Sequence, residues 1–420
     1  MVAAGLTVAG VNLARTAQPR TGAAGSLVLA GATVYVSPSE TPIADGIIVV
    51  RDAVIAAVGT RGSVRVPPDA TTLDCSGLTV TAGFWNSHVH FGERKWADAS
   101  NIPAAELVEQ LQTMLTRYGF TSVFDLSSPW ENTRRIRDRI ESGEVAGPRI
   151  RSTGQGMLGK GSAPPDIMIR VLGQMVTPQF EVETAADTLA AAKQLLNAGT
   201  DGLKVFAASW QPPYRALPTD AIRAAVDEAH RRKKPVFAHP QTLEGLIAAV
   251  RAGVDVIAHT THQSGPWDEA TVRTMRDANV ALIPTLKVWK YLPRHERASV
   301  GEKWIRTTRA QLEAWLTAQG VVLFGTDAGG IDDYDPSDEY VLMAAAGMTD
   351  RQILAALTTA PANRFGESAK LGRIASGLAA DLVALNGDPS RDVRAFAAVR
   401  YAIRDGRVIY QAPLNRAIGR

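Results

Sequence analysis

Two textures alternate along this chain. Residues 26–82 and 367–420 carry short runs in which apolar and polar positions alternate every second residue, as in S-L-V-L-A-G-A-T-V-Y-V and Y-A-I-R-D-G-R-V-I-Y, broken by Ser-Pro, Asp-Gly and Pro-Pro turn signals. Two strand-rich segments so far apart predict a small β-sandwich assembled from both chain ends. Residues 83–366 repeat a different unit, a short apolar run followed by a stretch with helical period such as A-A-E-L-V-E-Q-L-Q-T-M-L or A-A-D-T-L-A-A-A-K-Q-L-L. The candidate strands end near His90, Asp125, Ile150, Phe206, His239, His259, Pro284 and Asp327. Eight strand-then-helix units over about 285 residues match the size of a (β/α)8, TIM-like barrel, so the expected class is α/β: a barrel with an appended β-sandwich. Residues 1–25 pass from a weak apolar stretch to a small-residue tail and read as a flexible leader or a signal remnant. They lack the basic start and cleavage site of a secretory signal.

The strand ends gather the chemistry. In F-W-N-S-H-V-H-F, His88 and His90 are two apart, so on a strand they point to one face. Lys204 lies in D-G-L-K-V-F on the fourth strand, and His239 ends P-V-F-A-H. His259 ends V-D-V-I-A-H, and Asp327 ends V-V-L-F-G-T-D. Each alone has an ordinary explanation, as a hydrogen-bonded histidine, a solvated lysine or a turn-forming aspartate. Together they would all face one point above the barrel mouth, where this architecture carries its active sites.

Composition narrows the choices. The chain is 45% hydrophobic and 21% charged with a formal charge of +3, and no apolar run approaches the ~20 residues of a membrane helix. The basic residues are scattered, R-R-K-K at 231–234 being the densest run, which argues against a nucleic-acid partner and for a small-molecule substrate. A soluble protein, cytoplasmic or exported, is expected. The single cysteine, Cys75, excludes a disulfide framework and a cysteine-rich metal site, so nitrogen and oxygen would have to hold any metal.

With H-V-H, the strand-four lysine, two further histidines and G-T-D before A-D-L-V in place, the sequence resembles the amidohydrolase superfamily. Y-G-F-T-S-V-F-D-L, G-P-R-I, I-P-T-L, T-T-A-P-A-N and G-L-A-A-D-L-V-A-L-N-G-D-P extend the likeness to its imidazolonepropionase-like and prolidase-like branch, over roughly residues 28 to 412. The resemblance implies a metal-dependent hydrolase of carbon–nitrogen bonds. Carried over position by position, it implies two divalent metal ions, zinc for preference. His88, His90 and Asp327 would hold one and His239 and His259 the other, with a CO2-derived carbamate on Lys204 bridging them. Asp327 would be the catalytic residue, taking a proton from water and passing it to the leaving nitrogen.

Specificity should lie in the loops. Trp210, Trp289 and Tyr291 are candidates for an apolar pocket, Lys287 or Lys290 for a substrate carboxylate, and His262, in H-T-T-H, for a hydrogen bond to substrate. The glycine- and methionine-bearing segment after strand three, G-Q-G-M-L-G-K-G-S-A-P-P-D-I-M-I-R-V-L-G-Q-M, suits a cover over an apolar ligand or a contact in a homo-oligomer. The expected reaction is hydrolysis of an amide in an N-acyl amino acid or a dipeptide with an apolar side chain. The alternatives are a cyclic amide or lactone hydrolase, a mononuclear deaminase in which Lys204 is structural, and a barrel scaffold without catalysis.

Overall fold

The computed structural model describes residues 26–162, 179–210, 213–295 and 298–413. The leader, most of the cover segment and parts of the loops after units four and seven lie outside the described residues. The fold is α/β. The strands of the eight units are Phe84–Val89, Phe120–Asp125, Arg149–Ser152, Leu203–Phe206, Val236–His239, Val256–Ala258, Ala281–Ile283 and Val321–Val322. The first three form a parallel sheet, and the other five belong to a seven-stranded parallel sheet in sequence order. Backbone bonds link the two sheets at both seams. Asp201 N donates to Ser152 O at 2.7 Å, and on the other side Ser87 N donates to Phe324 O (2.7 Å) and Asp327 N to His88 O (2.9 Å).

The strands are buried on both faces, as parallel strands flanked by helices must be. Their residues divide with period two. Phe84, Val123, Val205, Ala238, Ile257 and Leu282 pack with the helices in the largest core. Trp85, Phe124, Phe237, Val256, Ala258, Ala281, Ile283 and Leu323 pack with one another and with Phe365. Lys204 pairs in register with Phe237, and His239 lies two residues beyond it, so both fall on that second face. The two helices read from periodicity are present as Ala104–Met114 and Ala185–Asn197, the latter opened by a Thr184–Asp187 capping box.

Two features depart from the expected pattern. Met157–Gly159 and Phe180–Val182, read as part of a covering loop or left unread, are short strands at the edge of the seven-stranded sheet. Met157 is fully buried there, so the described start of this segment makes sheet. The eighth strand is only two residues long, and Asp327 sits five residues beyond it. Phe324 N turns away to Ala356 O, and Gly325 passes so close to unit one that a Cβ would lie 2.8 Å from that of His88. Close approach of backbone to the strand that carries His88 replaces regular pairing at this point.

The strand-rich segments at 26–82 and 367–413 join edge to edge into one eight-stranded sheet. Leu78–Ala82 pairs antiparallel with Leu382–Asn386, and Leu27–Val34 pairs parallel with the other edge of Leu78–Ala82. One core of Leu29, Val34, Ile48, Val50, Val80, Leu382, Ala384 and Ile403 draws on both segments. Among the described residues, no helix is long and apolar enough to cross a membrane.

Candidate metal centre

The six strand-end residues converge. His88 Nε2 lies 3.0 Å from Asp327 Oδ1, His90 Nε2 lies 2.7 Å from the same oxygen, and the two imidazole nitrogens are 3.2 Å apart. The His259 ring stands 4.5 Å from His88 and 4.6 Å from His239, centroid to centroid. One ligand atom each from His88, His259 and Asp327 falls within a 4.8 Å span. Two imidazole nitrogens and a carboxylate oxygen in such a crowd are electron-rich atoms that only a shared proton or cation can hold together, and the donor set suits zinc.

The backbone is bent to bring these groups in. His259 (φ 81°), Asp327 (φ 59°) and Thr285 (φ 45°) all occupy the left-handed region that non-glycine residues avoid. Such strain persists where the surroundings over-determine it, and here the causes are visible. Thr285 Oγ1 sits 2.6 Å from His259 Nδ1, which leaves Nε2 free toward the cluster. Gln241 Oε1 lies 2.9 Å from His239 Nε2. Asn86 fastens unit one to unit eight. It donates to Thr326 Oγ1 at 2.7 Å and accepts from the amides of Thr326 and His88, both at 3.2 Å. Asp125, wholly buried, accepts from Ser128, Ser152 (2.7 Å), Thr133 (3.1 Å) and Phe91 N (3.3 Å), tying together the ends of units one to three.

Burial sets the charges. It pulls His88 down to about 3 against the pull of Asp327, and His239 down to about 3 with help from Lys204. His259 falls well below the usual histidine range for the same reason. These imidazoles are therefore neutral with lone pairs to offer at neutral pH. Burial alone would raise the Asp327 carboxyl, but His88, His90 and His259 outweigh it and hold that carboxyl well below the usual range. Lys204 is 1% exposed, its Nζ has no hydrogen-bond partner among the described residues, and burial brings it down to about 7.

The loop candidates take several positions. Trp210 packs its ring 4.8 Å from His239 and 5.1 Å from Phe206, and its buried indole N–H has no partner among the described residues. Trp289 meets the His259 edge at 5.8 Å while its N–H donates to Thr260 Oγ1 at 2.8 Å. His262 is stacked on Trp289 at 4.0 Å and abuts Trp304 at 4.3 Å, and burial takes it down to about 4. Tyr291 lies under the Arg294 guanidinium at 3.7 Å and packs against the small core of Val288, Trp289 and Ile331. The two lysines differ from the expectation of a free cation. Lys287 is 1% exposed with its Nζ bonded to the carbonyls of Asp333 (2.8 Å) and Asp335 (2.5 Å), and Lys290 pairs with Asp338 at 2.7 Å. Sequence reading passed over Asn86, Asp125, Gln241 and Thr285. Only Gln241, two residues after His239, and Thr285, in I-P-T-L beside strand seven, had positions that could have betrayed them.

An ochratoxinase of Aspergillus niger is 23% identical over 394 residues, spanning 84% of this chain and 80% of its own. A solved Xaa-Pro dipeptidase with methionine in its active site superposes with TM-score 0.79 at 22% identity, covering 92% of this chain and all of that one. A phenylurea hydrolase B superposes with TM-score 0.73 at 19% identity, over 91% and 96%. The model of the amidohydrolase family matches residues 79–409, a span that takes in every residue of the cluster, and the chain belongs to that family.

Proposed function

We propose that this protein is a binuclear metal-dependent hydrolase of an amide bond, acting on an N-acyl amino acid or a dipeptide with an apolar side chain. The eight units would form a closed (β/α)8 barrel over residues 83–366, flanked by a β-sandwich domain from 26–82 and 367–420. The observation that carries the reading is Lys204. A protonated ammonium there is buried with no acceptor among the described residues, and burial outweighs its attraction to Asp327. As a neutral amine it can add to CO2, forming an N–C bond and releasing a proton, and the anionic carbamate so formed offers two oxygens to cations.

The residues present fit a pair of zinc ions: His88, His90 and Asp327 for one, His239 and His259 for the other, the Lys204 carbamate shared. Bound there, two such ions would supply Lewis acidity toward a carbonyl and bring the ionisation of water toward neutral pH. Asp327 then accepts the water proton on its carboxylate and returns it to the leaving nitrogen, so no protein nucleophile is required. Trp210 and Trp289, set against His239 and His259, supply apolar walls, and the indole N–H of Trp210 can donate to a substrate oxygen. The Xaa-Pro dipeptidase among the similar structures, by its name a dipeptide hydrolase, favours the dipeptide reading.

A cyclic amide or lactone is the second reading, favoured by the engagement of Lys287 and Lys290 with residues 333–338. Metal analysis of protein purified without chelator, joined to a hydrolysis screen of N-acyl amino acids, dipeptides, their amide-capped forms and cyclic amides, tests both. Two ions per chain are expected. A single ion, unchanged by zinc and bicarbonate during expression, would overturn the binuclear reading in favour of a mononuclear deaminase.

A further inference from the structure

The helix Leu286–Tyr291 and the turn Leu292–His295 carry Lys287, Lys290 and Arg294, spaced three and four apart and so on one side. They meet the acidic run D-D-Y-D-P-S-D that follows Asp327. Arg294 pairs with Asp332 at 3.5 Å and Lys290 with Asp338 at 2.7 Å. Exposed pairs of this kind contribute little. Lys287 is different. It is buried, and its ammonium is satisfied within this run, by Asp333 Oδ1 (3.0 Å) and the carbonyls of Asp333 and Asp335. Removing it takes away the buried cation that joins the half-exposed Asp333 carboxylate to the carbonyls of Asp333 and Asp335.

The other edge of the run is fastened to the loop that follows His90. Tyr334 donates its hydroxyl to Glu93 and accepts from Lys95, while Lys95 and Glu93 pair at 3.1 Å. Trp96 completes the knot by donating its indole N–H to Glu93 at 3.3 Å. Only four residues, 328–331, separate this doubly held segment from Asp327. They form a tight turn in which Gly330 N and Ile331 N donate back to Asp327 O at 2.8 and 3.0 Å. Gly329 (φ 87°) lies so near His90 that a Cβ would stand 2.0 Å from its carbonyl oxygen.

We propose that Lys287 is a positioning residue, whose buried ammonium holds residues 333–335 in place and through the 328–331 turn fixes the carboxylate of Asp327 against His88 and His90. This rests on the role given above to Asp327, and it changes the purpose of Lys287 from receiving a substrate carboxylate to shaping the centre. The test compares Lys287→Met and Lys287→Arg in metal-loaded protein by hydrogen exchange, metal retention and kinetics. In Lys287→Met the amides of 328–336 should exchange about 10-fold faster or more while those of 236–239 do not change, with metal lost sooner to a chelator. Its kcat should fall roughly 10-fold to 100-fold with KM within about twofold, equally on a carboxylate substrate and its amide-capped analogue. Lys287→Arg, which can still reach two carbonyls, should recover most of each. Should Lys287→Met fail to fold, Tyr334→Phe loosens the same amides from the opposite edge. Unchanged exchange would overturn the proposal, and so would a KM rise confined to the carboxylate substrate. If exchange and metal retention respond but the wild-type protein hydrolyses no amide, the anchor stands and the amidase reading falls.

Discussion

Lys204 should make the metal-free protein less stable than a mutant that lacks it. A lysine free in water titrates at 10.5, and burial brings this one to about 7. The unfolded chain therefore binds more protons than the folded one between pH 7 and 10.5, and stability must rise with pH across that window. Below pH 7 the full difference opposes folding. At pH 7 it is on the order of 4 kcal/mol, and by pH 9.5 it has shrunk to roughly a third of that. Lys204→Met keeps the length and volume of the side chain and removes the charge, so it should stabilise the chelator-treated protein by those amounts. Urea unfolding of both proteins at pH 6, 7, 8.5 and 9.5 reads the difference directly. With zinc and bicarbonate restored the order should reverse, because only the wild-type protein can complete its ligand set. A gain in Lys204→Met that is absent at pH 7, or the same at every pH, would refute the view of Lys204 as a desolvated amine awaiting CO2.

Asp327→Asn keeps the shape of the carboxylate but cannot carry the proton, and turnover should fall roughly 100-fold or more with protein still folded by circular dichroism. Thr285→Val removes the oxygen beside His259 Nδ1; metal affinity measured by competition with a chromogenic chelator should drop about 10-fold to 100-fold. Gly329→Ala meets the His90 carbonyl and a backbone at φ 87°, so a drop in melting temperature together with loss of bound metal is expected. A Gly329→Ala protein with ordinary stability and metal content would show that the turn tolerates rearrangement.

Much of this site was legible in the sequence because its chemistry is rare and its positions are periodic. Histidines two apart on a strand, and single histidines or carboxylates at the ends of later apolar runs, need only the strand alternation to be brought together. The departures have physical causes that such patterns do not carry. Asp327 sits beyond a two-residue strand because Gly325 lets the backbone slide past His88, and one glycine among 36 does not announce such an approach. Lys287 was read as a candidate partner for a substrate carboxylate from its place in L-K-V-W-K-Y. Its partners lie in D-D-Y-D, 46 to 48 residues on, and complementary charge between two loops is seen only once folding has laid them side by side. The second-layer groups Asn86 and Asp125 escaped for the opposite reason: they are common residue types in ordinary strands.

The pairing of Leu78–Ala82 with Leu382–Asn386 has a bearing on how the centre comes into being. Strand 84–89, with His88, leaves that pairing through a single residue, Gly83, whose N–H is held by Asp381 O at 2.8 Å. During synthesis the first ligand strand emerges from the ribosome some 300 residues ahead of the strand that steadies it. A loop of that length closes late, since long-range contacts are reached only after their entropic cost has been met. His88 and His90 should then remain unset until residues 382–386 arrive, and on the proposed function metal capture and CO2 addition would wait for the finished polypeptide. A ribosome-stalled chain ending before residue 382 should accordingly hold no zinc, however complete its six ligands.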